Sequence, residues 1–183
     1  MRLVMVFGEE IIRVICVYAP QSGRSLVDKD NFYDELAYEW DLSNTNKIVF
    51  IMGDFNGHVG KNIEGFERVH GGNGIGEQNA EGRMLLEFCD EKELCVVNTW
   101  FKKNENRKIT YRARGKGTEI DFVLVQGVYR RYVKDVKVIP GELQHGLLVV
   151  NVDRRRYKKH VLKNKNYEKK IMEAKENDVR KKF

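Results

Sequence analysis

Lys47-Ile48-Val49-Phe50-Ile51-Met52-Gly53-Asp54-Phe55-Asn56-Gly57 is the stretch on which the fold is read. After its lysine it runs apolar without interruption to Met52, which marks a buried strand, and Gly53 to Gly57 break it with turn residues. The break sets Asp54 and Asn56 at a strand end, where a rigid scaffold presents polar groups from a loop.

Working outward, Arg2–Phe7 and Ile11–Tyr18 are β-branched and apolar around Gly8-Glu9-Glu10, which predicts a hairpin at the start of the chain. Ala19-Pro20-Gln21-Ser22-Gly23 ends its second strand. Asp28 to Leu42 has helical spacing, with Phe32, Leu36 and Trp40 on one side. Downstream, Gly60 to Gly76 is a long loop with six glycines, and Ala80–Lys92 is a helix with Met84, Leu85, Phe88 and Cys89 on one face. Leu94–Asn98 reads as a short strand. Ile109–Arg112 and Glu119–Val125 read as a strand pair across Ala113–Thr118. Val128–Val133 reads as one helical turn or a polar loop, and Val136–Ile139 and Leu147–Val152 as strands. The pattern is α/β (α+β) with short strands and long loops, without the regular alternation of a doubly wound parallel sheet.

The chain has 183 residues, 42% hydrophobic and 33% charged, enough apolar material for one packed domain. Its net charge of +6 is uneven. Residues 151–183 hold 13 basic and 5 acidic residues, and residues 1–150 hold 20 and 22. We therefore expect a domain over 1–152 and a basic, helical or disordered tail over 153–183. Such a tail either binds nucleic acid through phosphate contacts or is simply solvated. Cys16, Cys89 and Cys95 are odd in number and lack metal-ligand spacing, which points to a reducing compartment, nucleus or cytoplasm. The apolar start carries Arg2, Glu9, Glu10 and Arg13. It is no membrane span, which needs about 20 apolar residues, and it lacks the layout of a signal peptide. No membrane partner is expected.

Five polar groups stand where apolar strands end: Tyr18, Asp54, Asn56, Asp121 and His145. Each alone reads more readily as a turn, core or edge residue. Together they form a set suited to attack on a phosphodiester, which needs a carboxylate base, donors to the phosphoryl oxygens and a divalent metal. Glycine-rich HGGNGIG (70–76) lacks the Lys-Ser/Thr ending of a phosphate loop. His58, His70 and His160 have no ligand spacing and are expected at the surface. Lys102, Lys103, Arg107 and Lys108, beside Trp100 and Phe101, suit either a DNA backbone or a solvated loop. Arg112, Arg114 and Lys116 are better phosphate candidates, being close to the Asp121 strand.

The order VYAPQ, IVFIMGDFNGHVG, ITYRARGKGTEIDFVLV, QHGLLVV resembles the endonuclease/exonuclease/phosphatase superfamily. The intervening GGNGIGEQNAEGRMLLEFCDEKELCVVNTWF resembles the apurinic-type endonuclease domain of RTE-like non-LTR retrotransposons and the host-protein family named craniofacial development protein 2. The resemblance covers residues 1–152. It implies a DNase I-like four-layer architecture, a two-layer β-sandwich flanked by helices, and Mg²⁺-dependent endonuclease chemistry on double-stranded DNA, with Mn²⁺ active in vitro. It also implies roles. Asp54 would deprotonate the attacking water, Asn56 would hold that water or a phosphoryl oxygen, and Tyr18 would contact the phosphate or leaving group. Asp121 would fix the tautomer and charge of His145, which donates to a phosphoryl oxygen as negative charge develops.

Three positions depart from the pattern. Gln144 stands where aspartate usually precedes the histidine and is a weak metal ligand, acting through water. Gly146 replaces a long side chain, and Tyr111 a tryptophan. The resemblance further implies that the family domain begins upstream of this chain, with an asparagine and a glutamate that bind the metal. Glu9 and Glu10 lie at the wrong place in the order to replace that glutamate. The chain is accordingly expected to be incomplete at its N-terminus, weak or inactive as an enzyme, and to associate with itself or a protein partner through an open sheet edge. The competing reading is a non-catalytic interaction module for protein or nucleic acid. A sugar- or lipid-phosphate phosphatase is disfavoured by the Gly-rich loop and the NTWF segment.

Overall fold

The computed structural model describes residues 1–7, 10–43, 48–141 and 144–153. The expected tail beyond Asp153, His160 and Glu9 lie outside the described residues.

The run around Val49 forms β3 (Ile48–Asp54). Val49 and Ile51 point to one apolar cluster, Ile48 and Phe50 to the other, so the strand is buried on both faces and carries no polar alternation. β1 (Arg2–Phe7) and β2 (Glu10–Tyr18) form the expected antiparallel hairpin. β2 then runs parallel to β3. A parallel pair needs a crossover, supplied by helix α1 (Leu26–Ser43). β7 (Asp121–Gln126) lies antiparallel to β3 on its other side, and β4 (Leu94–Val96) lies against β7. The result is a mixed five-stranded sheet in the order β1-β2-β3-β7-β4.

Two layers cover this sheet. On one face lie α1, through Leu36 and Trp40, and α2 (Ala80–Glu91), through Leu85, Leu86, Phe88 and Cys89. Asn79 caps α2 by accepting from the Gly82 N–H, satisfying one of the helix's free donors. Lys29 of α1 and Glu81 in the first turn of α2 form a largely buried ion pair of 2.8 Å, which lowers the Glu81 pKa. On the other face lies the antiparallel pair β8 (Val133–Ile139) and β9 (Leu147–Val152), which buries Val133 and Val136 against Val14, Phe50, Val123 and Val125. Among the described residues this pair alone represents the expected second sheet.

Two expectations need correction. Ile109–Arg112 and Glu119–Val125 do not pair with each other. Instead β5 (Tyr111–Ala113) folds back on β6 (Lys116–Thr118). Arg114 and Gly115 both have positive φ, 49° and 76°, the backbone of a tight two-residue hairpin turn. That turn consumes the supposed connector and frees β7 for β3. His70 is also not at the surface. It is 1% exposed, in an isolated bridge with Val96, and burial pushes its pKa down to about 4.

Candidate active site at the strand ends

Register explains why the chemistry-bearing residues meet. Tyr18 is the Cα partner of Asp54 across β2–β3, and Asp121 is its partner across β3–β7. Three strands thus end in one row, Tyr18–Asp54–Asp121. Gly53 permits the tight approach. Its φ is 147°, and a Cβ there would stand 2.0 Å from the Val17 carbonyl oxygen, a collision only glycine avoids.

Asp54 is 6% exposed and accepts the Asn56 N–H through Oδ1 at 2.8 Å. Burial raises its pKa, the Asn56 N–H opposes that, Asp121 raises it further, and His145 lowers it. Asn56 sits in the left-handed region at φ 49°, which asparagine tolerates better than most residues. Its Nδ2 donates to the Ala19 carbonyl at 2.8 Å, tying the loop after β3 to the end of β2. Tyr18 is 66% exposed, and its hydroxyl accepts weakly from Gln21 at 3.4 Å.

His145 arrives from the segment before β9. Gly146 N–H donates to Thr110 and Arg112 N–H donates to the Gln144 carbonyl, so Tyr111 and His145 form an isolated antiparallel bridge. His145 Nδ1 is 3.1 Å from Asp121 Oδ2, and Nε2 is 3.9 Å from Asp54 Oδ2. A carboxylate against Nδ1 fixes the tautomer with that nitrogen protonated. All five expected residues are therefore at one end of the sheet, and four of them, Asp54, Asn56, Asp121 and His145, are joined by direct or one-residue links.

Residues that the sequence did not single out as site groups hold this arrangement. The Tyr111 ring packs on His145 at 4.7 Å between centroids. Thr110 Oγ1 accepts from the Asp121 N–H, and Asn98 Nδ2 donates to the Asp121 carbonyl while its Oδ1 accepts from Val123. A polar residue closing the apolar run Leu94–Val97 was the available signal for Asn98. Gly146 also gains a reason: a Cβ there would lie 2.7 Å from Val138 Cγ1, so the long side chain that the resemblance leads one to expect at this position would crowd β8.

Arg112, Arg114 and Lys116 are exposed on the β5–β6 hairpin beside Tyr111. Gln144 is exposed and engages the fold through its carbonyl. Among the described residues no group of three or more His, Cys, Asp or Glu is placed to hold a metal ion. Asp121 is engaged by His145, and one oxygen of Asp54 by Asn56. These residues alone do not make a cage for Mg²⁺. Among the described residues, no helix is long and apolar enough to cross a membrane.

No family model matches the chain. Craniofacial development protein 2 of Bos taurus is 32% identical over 133 residues, covering 71% of this chain and 22% of that protein. Its counterpart in Tragulus javanicus is 30% identical over 133 residues, covering 71% and 23%. The chain thus spans about a fifth of the length of these relatives. Among solved structures, a 3′ phosphatase from Neisseria bound to product DNA hairpin superposes with a TM-score of 0.57 at 18% identity, over 78% of this chain and 61% of that one. The endonuclease domain of TRAS1, a telomere-specific non-LTR retrotransposon, gives 0.56 at 13%, over 82% and 63%. An AP endonuclease from Archaeoglobus fulgidus gives 0.53 at 17%, over 78% and 62%. The chain has the fold of the endonuclease/exonuclease/phosphatase superfamily, with distant sequence similarity to craniofacial development protein 2 and structural likeness to the TRAS1 retrotransposon endonuclease domain.

Proposed function

We propose that the chain carries the water-activating part of a DNA endonuclease site that hydrolyses phosphodiester bonds of duplex DNA. The observation that carries this is the placing of His145 Nε2 3.9 Å from Asp54 Oδ2. That is too far for a direct hydrogen bond, yet one oxygen atom fits within hydrogen-bond reach of both. Asp54 takes a proton from a water, whose oxygen attacks phosphorus. His145, held through Nδ1 by Asp121 and carrying a proton on both ring nitrogens, donates from Nε2 to the phosphoryl oxygen on which charge builds. Asn56 spends Nδ2 on Ala19, leaving its carbonyl oxygen to orient the water. Exposed Tyr18 meets the phosphate from the β2 side, and Arg112, Arg114 and Lys116 meet flanking phosphates. The bond to the leaving oxygen breaks, and that oxygen takes a proton from solvent.

In this reading residues 1–152 are one unit of a DNase I-like four-layer architecture, with β8 and β9 in its second sheet, and residues 153–183 add basic contacts. The enzyme works in the nucleus or cytoplasm. Mg²⁺ finds no cage among the described residues and is assigned no step.

The test is nicking of supercoiled plasmid by the purified chain with Mg²⁺, with Mn²⁺, with EDTA, and as Asp54→Ala. Nicking that disappears with Asp54→Ala supports the reading, and the EDTA arm shows whether metal is required. Absence of nicking by folded protein overturns it.

A second reading, an interaction module without catalysis, is favoured by β1. It is an edge strand of the five-stranded sheet, with Leu3, Val4 and Val6 exposed, and an exposed apolar edge invites strand pairing with another chain. A monomer in sedimentation at all concentrations, with retained nicking, would reject this reading.

A further inference from the structure

Residues 102–108 include four cations, and the structure separates them. Lys103 is committed to Asp135 and the Val136 carbonyl. Lys108 is buried. Lys102 and Arg107 instead line a groove of about 920 Å³ whose opposite wall is the end of β8, where Lys137 joins them. Among the described residues no acidic group pairs with Lys102, Arg107 or Lys137. Glu105, the acid of the same loop, is turned to Lys61, and Asp135 is neutralised by Lys103. Asn104 and Asn106 add amides to the lining, and Val138, Ile139 and Pro140 an apolar wall. Among the described residues the groove thus gathers three positive charges without an acidic partner, although residues 1–150 hold more acidic than basic groups, 22 against 20.

The groove also abuts the site. Gly146, next to His145, packs against Val138 and Ile139 of the groove wall, and the 102–107 loop runs directly into the Thr110–Tyr111 segment that supports His145. We propose that this groove is a track for the phosphodiester backbone of DNA, with Lys102, Arg107 and Lys137 each meeting a phosphate flanking the one at His145. Cationic side chains and amides along a concave wall grip a polyanion without reading its sequence. Unlike the hairpin cations Arg112, Arg114 and Lys116, which lie on the Tyr111 side, these lie on the β8 side. The proposal rests on the endonuclease reading for its direction toward His145, but binding can be measured without cleavage.

The experiment is fluorescence anisotropy of a labelled DNA duplex with the full chain in EDTA, over a series of salt concentrations. Wild type is compared with Lys102→Gln/Arg107→Gln/Lys137→Gln, and with a control of equal charge loss, Arg24→Gln/Arg68→Gln/Arg83→Gln. All six side chains are exposed. Loss of three phosphate contacts flattens the slope of log K against log salt by about 2.7, and weakens binding at least tenfold at low salt. The double variant Lys102→Gln/Lys137→Gln gives about two thirds of that flattening. The control leaves the slope near wild type. If the groove variant and the control behave alike, or the wild type does not bind duplex, the groove proposal is overturned. If groove-dependent binding is seen but no nicking occurs with metal, the groove stands and the endonuclease reading falls.

Discussion

Asp54 and Asp121 face each other as Cα partners in the β3–β7 ladder, and His145 lies against both, 3.1 Å from Asp121 and 3.9 Å from Asp54. Two carboxylates at adjacent strand ends would repel if both were buried alone. The ring between them, and the Asn56 N–H on Asp54, moderate that repulsion, but burial still leaves the Asp54 pKa raised. A carboxyl whose folded pKa lies above its unfolded value favours the fold when protonated. That stability is present below the unfolded pKa and lost as pH rises through the folded one. Ionised Asp54 therefore costs stability at pH 7. Asp54→Asn keeps an acceptor for the Asn56 N–H and removes the charge. We expect it to melt no lower than the parent at pH 7, with the difference closing below pH 4, while nicking falls by about 10²- to 10⁴-fold, the usual worth of a general base. Thermal unfolding at both pH values beside the plasmid assay checks this, and a clear loss of stability at pH 7 would refute it.

In the proposed reaction the same shift sets the acid limb. A base must be unprotonated, so the rate rises with pH through the Asp54 pKa. Because burial and Asp121 raise that pKa, the limb should lie above the ordinary aspartate value of about 3.9. A profile of kcat/KM from pH 4 to 8 locates it. A limb at or below the ordinary value would show that Asp54 is not the titrating base.

How much of this was legible in the sequence depended on whether contacts were local. β3 was readable because a strand buried on both faces must be apolar throughout. The turn at Gly53–Gly57 was readable because its glycines mark a backbone break. Asp54, Asn56 and Asp121 could be placed at strand ends, but the register that sets Tyr18, Asp54 and Asp121 in one row exists only once β2, β3 and β7 are paired. β5 and β6 escaped because Arg114, not a second glycine, takes the left-handed position before Gly115. His70 escaped because its burial comes from a bridge to Val96, far along the chain. The groove at Lys102 was half visible, since Lys137 enters it from a different strand.

Tyr111 gives a test of how His145 is held. Its ring lies 4.7 Å from the imidazole, on an aromatic contact of a kind worth about 0.5–1.5 kcal/mol beyond area burial. With Tyr111→Ala, Asp121 alone orients the ring, and small misplacements of a catalytic group can cost about 10²-fold. We expect Tyr111→Ala to lower kcat by about 10- to 100-fold with the fold intact. Tyr111→Phe should stay within about threefold of the parent, because the contact is made by the ring. Nicking rates, with the His145 imidazole resonances as a readout of ring position, decide it. Equal losses in both variants would shift the role to the hydroxyl.

Behind the site, Glu119 and Lys108 are each 4% exposed, and Glu119 Oε2, Lys108 Nζ and His70 Nε2 have no hydrogen-bond partner among the described residues. Burial pushes Glu119 up to about 7, opposed by Lys108 and by the Asn98 amide, and pushes His70 down to about 4. The two act in opposite senses. Glu119 stabilises the fold when protonated, so its contribution is lost as pH rises from the unfolded glutamate value of about 4.3 through about 7. His70 stabilises the fold when neutral, so its contribution is lost as pH falls from about 6.5 through about 4. Between roughly pH 4.5 and 6.5 the two slopes largely cancel. Glu119→Gln keeps the shape and the Asn98 contact but removes the first slope. Its stability relative to the parent should therefore climb with pH, by on the order of 3 kcal/mol between pH 4.5 and 7.5, while its own curve rises from pH 4 to 6.5 as His70 is unmasked. Urea unfolding midpoints of both proteins across that range measure the difference directly. A difference that does not change with pH would mean that Glu119 is already ionised in the folded protein at acid pH, and that Lys108, not a proton, neutralises it.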